Sequence, residues 1–324
     1  MKKNTRIMAL TLSMVLMAFT FIGCSSKAPS PSPTANNPVA KQIKVGLSMN
    51  TLNNPFFVDV KNGVEKAAKD NNVILVVADA QNSAATQVSD IENLIAQKPD
   101  AIIIDPADSD AITAAVESCN KANIPVITMD RESNGGVVAA HIGFNAIKSG
   151  NIAGDYVAEQ LKGKKDAKVV EIQGIMGTNV AQNRSKGFNE SMTRNKLTVV
   201  AKQSADFDRA KAMTVMENIL QANPKIDAVY AANDEMALGA LEAIKASGRL
   251  KDIVLIGCDA IDPSLEKIRA GELSATIAEP PFFLGKKGLE TALAQLKGEK
   301  VEKSVLLDST LVTKSNIDTV KTKD

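Results

Sequence analysis

The sequence of 324 residues contains no tryptophan, two tyrosines, one histidine and three cysteines. With one histidine in a strand-like run, a serine or cysteine triad cannot be assembled without another histidine. That histidine, His141, lies in the strand-like run Val137-Val-Ala-Ala-His-Ile142. We therefore expect a structural role for His141 and no enzymatic activity.

Three cysteines are too few for a disulfide scaffold, and no cluster has the spacing of a zinc site. Cys119 lies in a helical pattern and Cys258 at the end of a strand-like run. Two buried, unbridged thiols are the favoured interpretation, and a disulfide depends on a distance that sequence does not give. We predict no metal and no cofactor.

Long basic runs are also missing after residue 24, and the net charge is only +1. Nucleic acid is therefore not an expected partner. Positive charge is concentrated at the start, where Lys2, Lys3 and Arg6 precede an uncharged apolar run over residues 7–22. This run is short for a membrane span and has the charge layout of a secretory leader.

The apolar run closes with Phe21-Ile-Gly-Cys24, which resembles the lipobox cut before a lipid-modified cysteine. We predict a lipoprotein signal peptide over 1–23, acylation of Cys24 and a Pro/Ser-rich tether over 24–41. The mature chain would be extracytoplasmic, attached to the outer face of the cell membrane through Cys24. An ordinary soluble signal peptide with an incidental cysteine is the alternative.

From residue 43 onward, short β-branched runs alternate with amphipathic helical stretches, which is typical of a doubly wound α/β fold with parallel sheets. About 280 residues of this pattern exceed what one core usually holds, so two lobes are expected. The predicted strands after the first, Ile43–Met49, include Val73–Val77, Ala101–Ile104, Val126–Thr128, Val169–Ile172, Val199–Val200, Ala228–Tyr230 and Ile253–Ile256.

Polar residues follow five of the strand-like runs, and ligands of open parallel sheets bind beyond the carboxyl ends of the strands. The first run leads into Asn50-Thr-Leu-Asn-Asn-Pro-Phe-Phe57, where a loop offers amides and aromatic faces. The other runs lead into Asp130 and Arg131, Asn233, Asp259 and Glu279. A small polar ligand is therefore predicted at these ends, although Asp130, Asn233 and Asp259 are each also candidates for helix N-caps.

Two segments, Asn50–Phe57 and Ala231-Ala-Asn-Asp-Glu-Met-Ala-Leu-Gly-Ala240, resemble the ribose-binding proteins of bacterial ABC sugar importers. The resemblance covers residues 42 to 314. It implies the type I periplasmic binding protein fold, in which two doubly wound parallel-sheet lobes are joined by three hinge crossings. The N-terminal lobe would comprise 42–144 and 280–308, and the C-terminal lobe 145–279 and 309–324.

The same resemblance implies roles for individual residues. Phe56, Phe57 and Phe207 would stack on the sugar, and the hydrogen-bonding positions would be Asn54, Asp130, Arg131, Asn233 and Asp259. The chain departs from the family pattern at four positions: Asn50 replaces a serine, Gln182 a binding arginine, Cys258 an aromatic residue and Glu279 a glutamine.

These departures leave Asp130, Asp259 and Glu279 facing Arg131 alone, a formal charge of −2 that would be costly to bury. Four explanations stay open. Glu279 is protonated, a cation such as Arg184 enters the site, the ligand is not plain ribose, or Glu279 points to solvent at the hinge.

The predicted function is capture of a monosaccharide, with ribose as the first expectation, in a closing cleft, and delivery to an ABC permease by a monomer. Another pentose, a hexose or an amino sugar is the alternative ligand, and a ligand-loaded sensor for a membrane receptor is the alternative role. Sugar-sensing repressors share this fold but begin with a DNA-binding helix-turn-helix, where this chain has a predicted leader. A glycosidase pair of Asp259 and Glu279 would need a separation that sequence does not give.

Overall fold

The computed structural model describes residues 42–321, so the predicted leader, the tether and Cys24 lie outside the described residues. The described part contains twelve strands and nine helices. None of these helices is long and apolar enough to cross a membrane.

The elements alternate along almost the whole described chain. The strands are β1 (Lys44–Met49), β2 (Ile74–Asp79), β3 (Ala101–Ile104), β4 (Val126–Met129), β5 (Ala140–Phe144), β6 (Lys168–Gln173), β7 (Thr198–Ser204), β8 (Ala228–Ala231), β9 (Val254–Asp259), β10 (Ala275–Ala278), β11 (Ser304–Leu307) and β12 (Thr310–Thr313). The helices are α1 (Pro55–Asp70), α2 (Ala84–Ala96), α3 (Thr113–Lys121), α4 (Ala146–Gln160), α5 (Asn179–Arg194), α6 (Arg209–Ala222), α7 (Asp234–Ala246), α8 (Asp262–Ala270) and α9 (Pro281–Leu296).

The strands form two six-stranded sheets of matching topology. The first has the order β11-β5-β4-β3-β1-β2, and the second has the order β12-β10-β9-β8-β6-β7. All pairs are parallel except β10 with β12. We call each sheet with its packed helices a lobe: α1, α2, α3 and α9 pack with the first sheet, and α4 to α8 with the second. The predicted α/β fold in two doubly wound lobes is confirmed.

The chain passes between the two sheets three times. It leaves the first sheet after Phe144, returns after Ala278, and enters the second sheet again after Leu307. Because α9 and β11 follow the second crossing, each lobe is built from two separate stretches of chain. The carboxyl ends of β1 and β4 in the first lobe, and of β8, β9 and β10 in the second, carry the predicted polar residues.

Glycines allow two helix pairs to approach closely. A Cβ at Gly63 of α1 would lie 2.0 Å from the Phe282 carbonyl oxygen in α9, and one at Gly285 would lie 1.9 Å from the Val60 oxygen. The second lobe repeats this arrangement, since Gly187 of α5 meets the Ile147 oxygen of α4 in the same way. The contacts at Gly63 and Gly285 hold α9 on the first lobe after the second crossing.

Cys119 and Cys258 are buried and unbridged, as the sequence predicted. His141 is buried in β5, and its Nδ1 lies 3.0 Å from Thr128 Oγ1 on β4. Burial lowers the pKa of His141 from 6.5 to about 4, because the charged imidazolium loses its hydration. The histidine is therefore a neutral structural residue at neutral pH.

The depressed pKa of His141 predicts an acid-sensitive fold. Its stabilising contribution is complete above the unfolded pKa of 6.5 and is lost as pH falls towards about 4. Between pH 7 and pH 5 the free energy of unfolding should fall by about 2 kcal/mol from this group. Urea unfolding at both pH values measures the loss, which His141→Gln should largely remove. An imidazole NMR titration midpoint near 6.5 would contradict this account.

Candidate functional site

A cavity with an empty volume of about 260 Å³ lies at the carboxyl ends of the strands, between the two lobes. Each lobe contributes five of the ten residues that line it. The first lobe provides Asn54, Phe56, Phe57, Asp130 and Arg131, and the second provides Val180, Arg184, Phe207, Asn233 and Asp259. Eight of the eleven side chains predicted for the site therefore lie in one cavity wall.

The loop after β1 orients the two phenylalanines. Asn54 caps α1, because its Oδ1 accepts a hydrogen bond from the Phe56 backbone nitrogen at 2.9 Å. Pro55 is the first residue of the helix, where its missing N–H costs nothing. The rings of Phe56 and Phe57 then meet edge to face, with centroids 5.2 Å apart, and both side chains are buried.

Arg131 lies at the centre of the contact between the lobes. Its guanidinium carbon is 5.3 Å from the Phe57 ring centroid in its own lobe and 5.5 Å from that of Phe207 in the other lobe. Its Nη1 donates to the carbonyl oxygen of Pro106 at 3.1 Å. The preceding Asp130 has a φ of 55°, in the left-handed region, so the chain turns sharply as it leaves β4.

Backbone strain recurs on the second lobe. Phe207 and Asp259 have φ values of 59° and 129°, which are uncommon for residues other than glycine and accumulate at functional sites. The Phe207 ring occupies space that only a glycine leaves open, since a Cβ at Gly174 would lie 2.1 Å from its Cζ. Both lobes thus hold cavity residues in conformations that the surrounding structure imposes.

The alternative of helix capping holds for one of the three candidates. Asn233 caps α7, accepting from the Met236 nitrogen at 2.9 Å, and it also lines the cavity. Asp130 and Asp259 cap no helix, because the next helices have Asn145 and Ile261 at their N-caps.

The structure places Gln182 outside this cavity. Its side chain is exposed on α5 and donates to the Met176 carbonyl oxygen at 2.9 Å, away from the cavity. Arg184 lines the cavity instead, with Nη1 donating to the Ala232 carbonyl oxygen at 2.8 Å. The buried face of α5 includes Arg184 and excludes Gln182, because two residues along a helix turn the side chain by about 200°.

Neither the Glu279 nor the Asn50 side chain lines the cavity. Glu279 is only 1% exposed, so it does not point to solvent, and its Oε2 accepts from Arg184 Nη2. Asn50 is wholly buried, and its amide atoms have no hydrogen-bond partner within residues 42–321. Entry of Arg184 into the site, one of the four explanations for the excess acid, is what the structure contains.

One further acid went unpredicted. Asp105 directly follows β3, is completely buried, and accepts no hydrogen bond at either carboxylate oxygen from the described part of the chain. Burial, and then the charge of Asp130, raise the pKa of Asp105, and Arg131 opposes this shift. The rule of polar residues at strand ends would have identified it.

The cavity carboxylates are strongly perturbed. Burial raises the pKa of Asp130 against the opposing charges of Arg131 and Arg184, one from each lobe. Burial likewise raises the pKa of Asp259, against Arg184. The electrostatics of the two lobes are therefore linked through this cavity.

Cys258, Asp259 and Glu279 present donor atoms within 4.8 Å of one another, a spacing compatible with a metal ion. Arg184 Nη2, however, lies 3.6 Å from Asp259 Oδ1 and pairs with Glu279. Burial raises the pKa of the Cys258 thiol, which disfavours the thiolate that metals bind. We therefore interpret these three side chains as the surroundings of the Arg184 guanidinium rather than as metal ligands. As shared counterions of one arginine, the two acids do not form a glycosidase pair.

Direct hydrogen bonds join the lobes beside the cavity. The Ser109 nitrogen in the first lobe donates to the Gly177 oxygen in the second at 3.1 Å. Asn179 Oδ1 accepts from the Glu132 nitrogen at 3.0 Å. The two lobes therefore contact each other across the cleft.

The comparisons with known proteins agree with this geometry. A family model described as the periplasmic binding protein domain matches residues 45–300. The chain is 45% identical to the ribose import binding protein RbsB of Bacillus subtilis (strain 168), over 92% of this chain and 96% of that protein.

Two solved structures with other bound ligands are also similar to this chain. The myo-inositol binding protein of Caulobacter, bound to myo-inositol, has a TM-score of 0.82 and 32% identity, covering 87% of this chain and 97% of that one. A solute binding protein from Actinobacillus succinogenes 130z with bound D-allose has a TM-score of 0.81 and 29% identity, covering 86% and 100%.

Proposed function

This chain belongs to the ribose-binding family of type I periplasmic binding proteins, and on that premise we propose that it captures a monosaccharide between its lobes and delivers it to an ABC permease. Members of this family bind solutes for importers outside the cytoplasm and are not enzymes. The observation that carries the proposal is the cavity wall, to which the two lobes contribute equally.

The chemistry of the wall suits a polyhydroxylated ring. Two guanidinium groups donate, carboxylates accept from neighbouring hydroxyls, and the amides of Asn54 and Asn233 can do both. Phe56, Phe57 and Phe207 offer apolar faces to the C–H side of the ring.

Ribose is the first candidate ligand, since the first relative named above is a ribose import binding protein. The acid content supports another pentose, a hexose or an amino sugar as the second. Asp105, Asp130, Asp259 and Glu279 are buried near only two guanidinium groups, those of Arg131 and Arg184, and burial raises the pKa of the three aspartates. A ligand rich in hydroxyl or ammonium donors would satisfy these acceptors better than one rich in acceptors.

We further propose that the lobes, with the boundaries predicted above, rotate about the three crossings after Phe144, Ala278 and Leu307. A ligand that contacts both lobes stabilises the closed state over the open one. The loaded protein would act as a monomer. Presentation of the closed form to a membrane receptor, rather than to a permease, is the alternative output.

Attachment to the outer face of the membrane through an acylated Cys24 is part of the same proposal. The support is the charged, apolar and lipobox-like pattern over residues 1–24. A lipid anchor would keep the binding protein beside its permease without constraining the lobes, because a tether over 24–41 separates the anchor from the folded part.

A thermal-shift panel of pentoses, hexoses, polyols and amino sugars tests the sugar-binding proposal. A ligand present at 100 times its Kd stabilises the folded protein by about 2.7 kcal/mol, which is a readily measured shift. Ribose or another monosaccharide should stand out. No stabilisation by any sugar in the panel would overturn the proposed function.

Gln182 and Arg184 on α5 allow a paired prediction. Arg184→Gln should weaken binding of the sugar selected by the panel by about 30- to 1000-fold, since it removes a buried donor and leaves Glu279 without its cationic partner. The exposed Gln182→Ala should change affinity by less than about 3-fold. Isothermal calorimetry measures both variants. A larger effect at Gln182 than at Arg184 would refute the assignment.

The lipid anchor has its own test. Cys24→Ser should abolish acylation and move the protein from the detergent phase to the aqueous phase in detergent partitioning, because a single serine accepts no such anchor. Cys119→Ser, at a buried thiol, is the matched control and should partition like wild type. Identical partitioning of Cys24→Ser and wild type would exclude the anchor.

A further inference from the structure

Four polar side chains form a buried cluster behind the ligand cavity. Ser149 Oγ donates to Glu279 Oε1 at 2.5 Å, and Ser309 Oγ approaches the same oxygen at 3.4 Å. Ser149 Oγ and Ser309 Oγ are 3.0 Å apart. Glu279 Oε2 accepts from Arg184, the residue that lines the cavity. All four side chains are buried, so their hydrogen bonds are shielded from water.

The members of the cluster come from all three crossings. Ser149 lies in the first turn of α4, directly beyond the first crossing, and its Oγ lies 3.2 Å from the Asn145 carbonyl oxygen at that crossing. Glu279 is the residue after β10, where the chain leaves for the first lobe. Ser309 lies between β11 and β12, in the third crossing. Residues 130 and 160 positions apart in sequence are thus joined at the hinge.

We propose that Glu279 is a positioning residue, which fixes Arg184 for the ligand and ties that arginine to the three hinge crossings. Contact between a ligand and Arg184 is then transmitted to the crossings through one carboxylate. The inference rests on the proposed sugar-binding function and adds to it a route by which occupancy of the cavity reaches the hinge.

The geometry separates this role from direct ligand contact. Both Glu279 oxygens have partners, the serines at Oε1 and Arg184 at Oε2. Its side chain is 1% exposed and does not line the cavity. A ligand that reached Glu279 would have to displace Arg184 or the two serines. The effect of Glu279 on binding should therefore depend on Arg184 being present.

A double-mutant cycle tests that dependence. Glu279→Gln keeps the shape of the side chain but turns the ion pair with Arg184 into a neutral contact, and affinity for the panel-selected sugar should fall by about 10- to 100-fold. In the Arg184→Gln background the same change should cost less than about 3-fold. Equal losses in both backgrounds would mean that Glu279 acts on the ligand independently, which overturns the proposal.

Milder variants keep the proposal testable if the Glu279 variants fold poorly. Ser149→Ala and Ser309→Ala each remove one hydrogen bond from Glu279 without touching the cavity, and each should weaken sugar binding by about 3- to 10-fold. Ser191→Ala is the matched control. Ser191 is also buried and donates at 2.6 Å to a carboxylate, Asp155, that pairs with an arginine, Arg194, on the same two helices.

Ser191→Ala should lower thermal stability as the two hinge serine variants do, yet leave sugar affinity unchanged. Affinity unchanged in all three variants, with a sugar that binds wild type, would overturn the coupling while leaving the proposed function intact. If no sugar stabilises wild type in the panel, it is the proposed function that fails. The two failures are therefore distinguishable.

Discussion

Two buried guanidinium groups, Arg131 from one lobe and Arg184 from the other, impose the main constraint on the cleft. An arginine stays charged when it is buried, so each needs acceptors and flat surfaces within the protein. Arg131 receives a backbone carbonyl and two aromatic rings, and Arg184 receives a carbonyl and two carboxylates. The sharp turn at Asp130 and the absence of a side chain at Gly174 help to hold these partners in place.

The same requirement explains why the cleft is rich in acid. Asp259 and Glu279 serve Arg184, and Asp130 lies beside Arg131, with Nε and Oδ2 3.8 Å apart. Asp105 is not explained by either arginine, since its carboxylate accepts no hydrogen bond from residues 42–321. An unpaired buried carboxylate is costly to stability, and burial accordingly raises the pKa of Asp105.

Much of the fold follows from the sequence because strand periodicity and strand-end chemistry are local. The predicted strand Ala101–Ile104 has the same bounds as β3, because a short β-branched run flanked by prolines favours a strand over a helix. Val199–Val200 was too short a prediction for β7, which continues to Ser204. This is an edge strand, so it carries polar residues such as Lys202 that obscure its apolar pattern.

The cavity was predictable where a residue follows a strand, and less so where it lies on a helix. Asp130, Asn233 and Asp259 needed only the rule that ligands bind beyond strand ends. On α5 the choice between Gln182 and Arg184 depended on helical phase. The apolar positions Val180 and Phe188 mark the buried face, four residues on either side of Arg184, and that signal was available. The Glu279 side chain points inward because it bonds Ser149 and Ser309, which are distant in sequence. No local sequence pattern therefore predicts its direction.

Small-angle X-ray scattering of the mature protein, with and without a saturating concentration of the sugar selected by thermal shift, tests the central claim most directly. A ligand held by residues of both lobes should reduce the radius of gyration, because it stabilises a closed state over an open one. Asp259→Asn at the same sugar concentration should show less compaction. An unchanged radius of gyration for wild type at saturation would contradict closure of the lobes on the ligand.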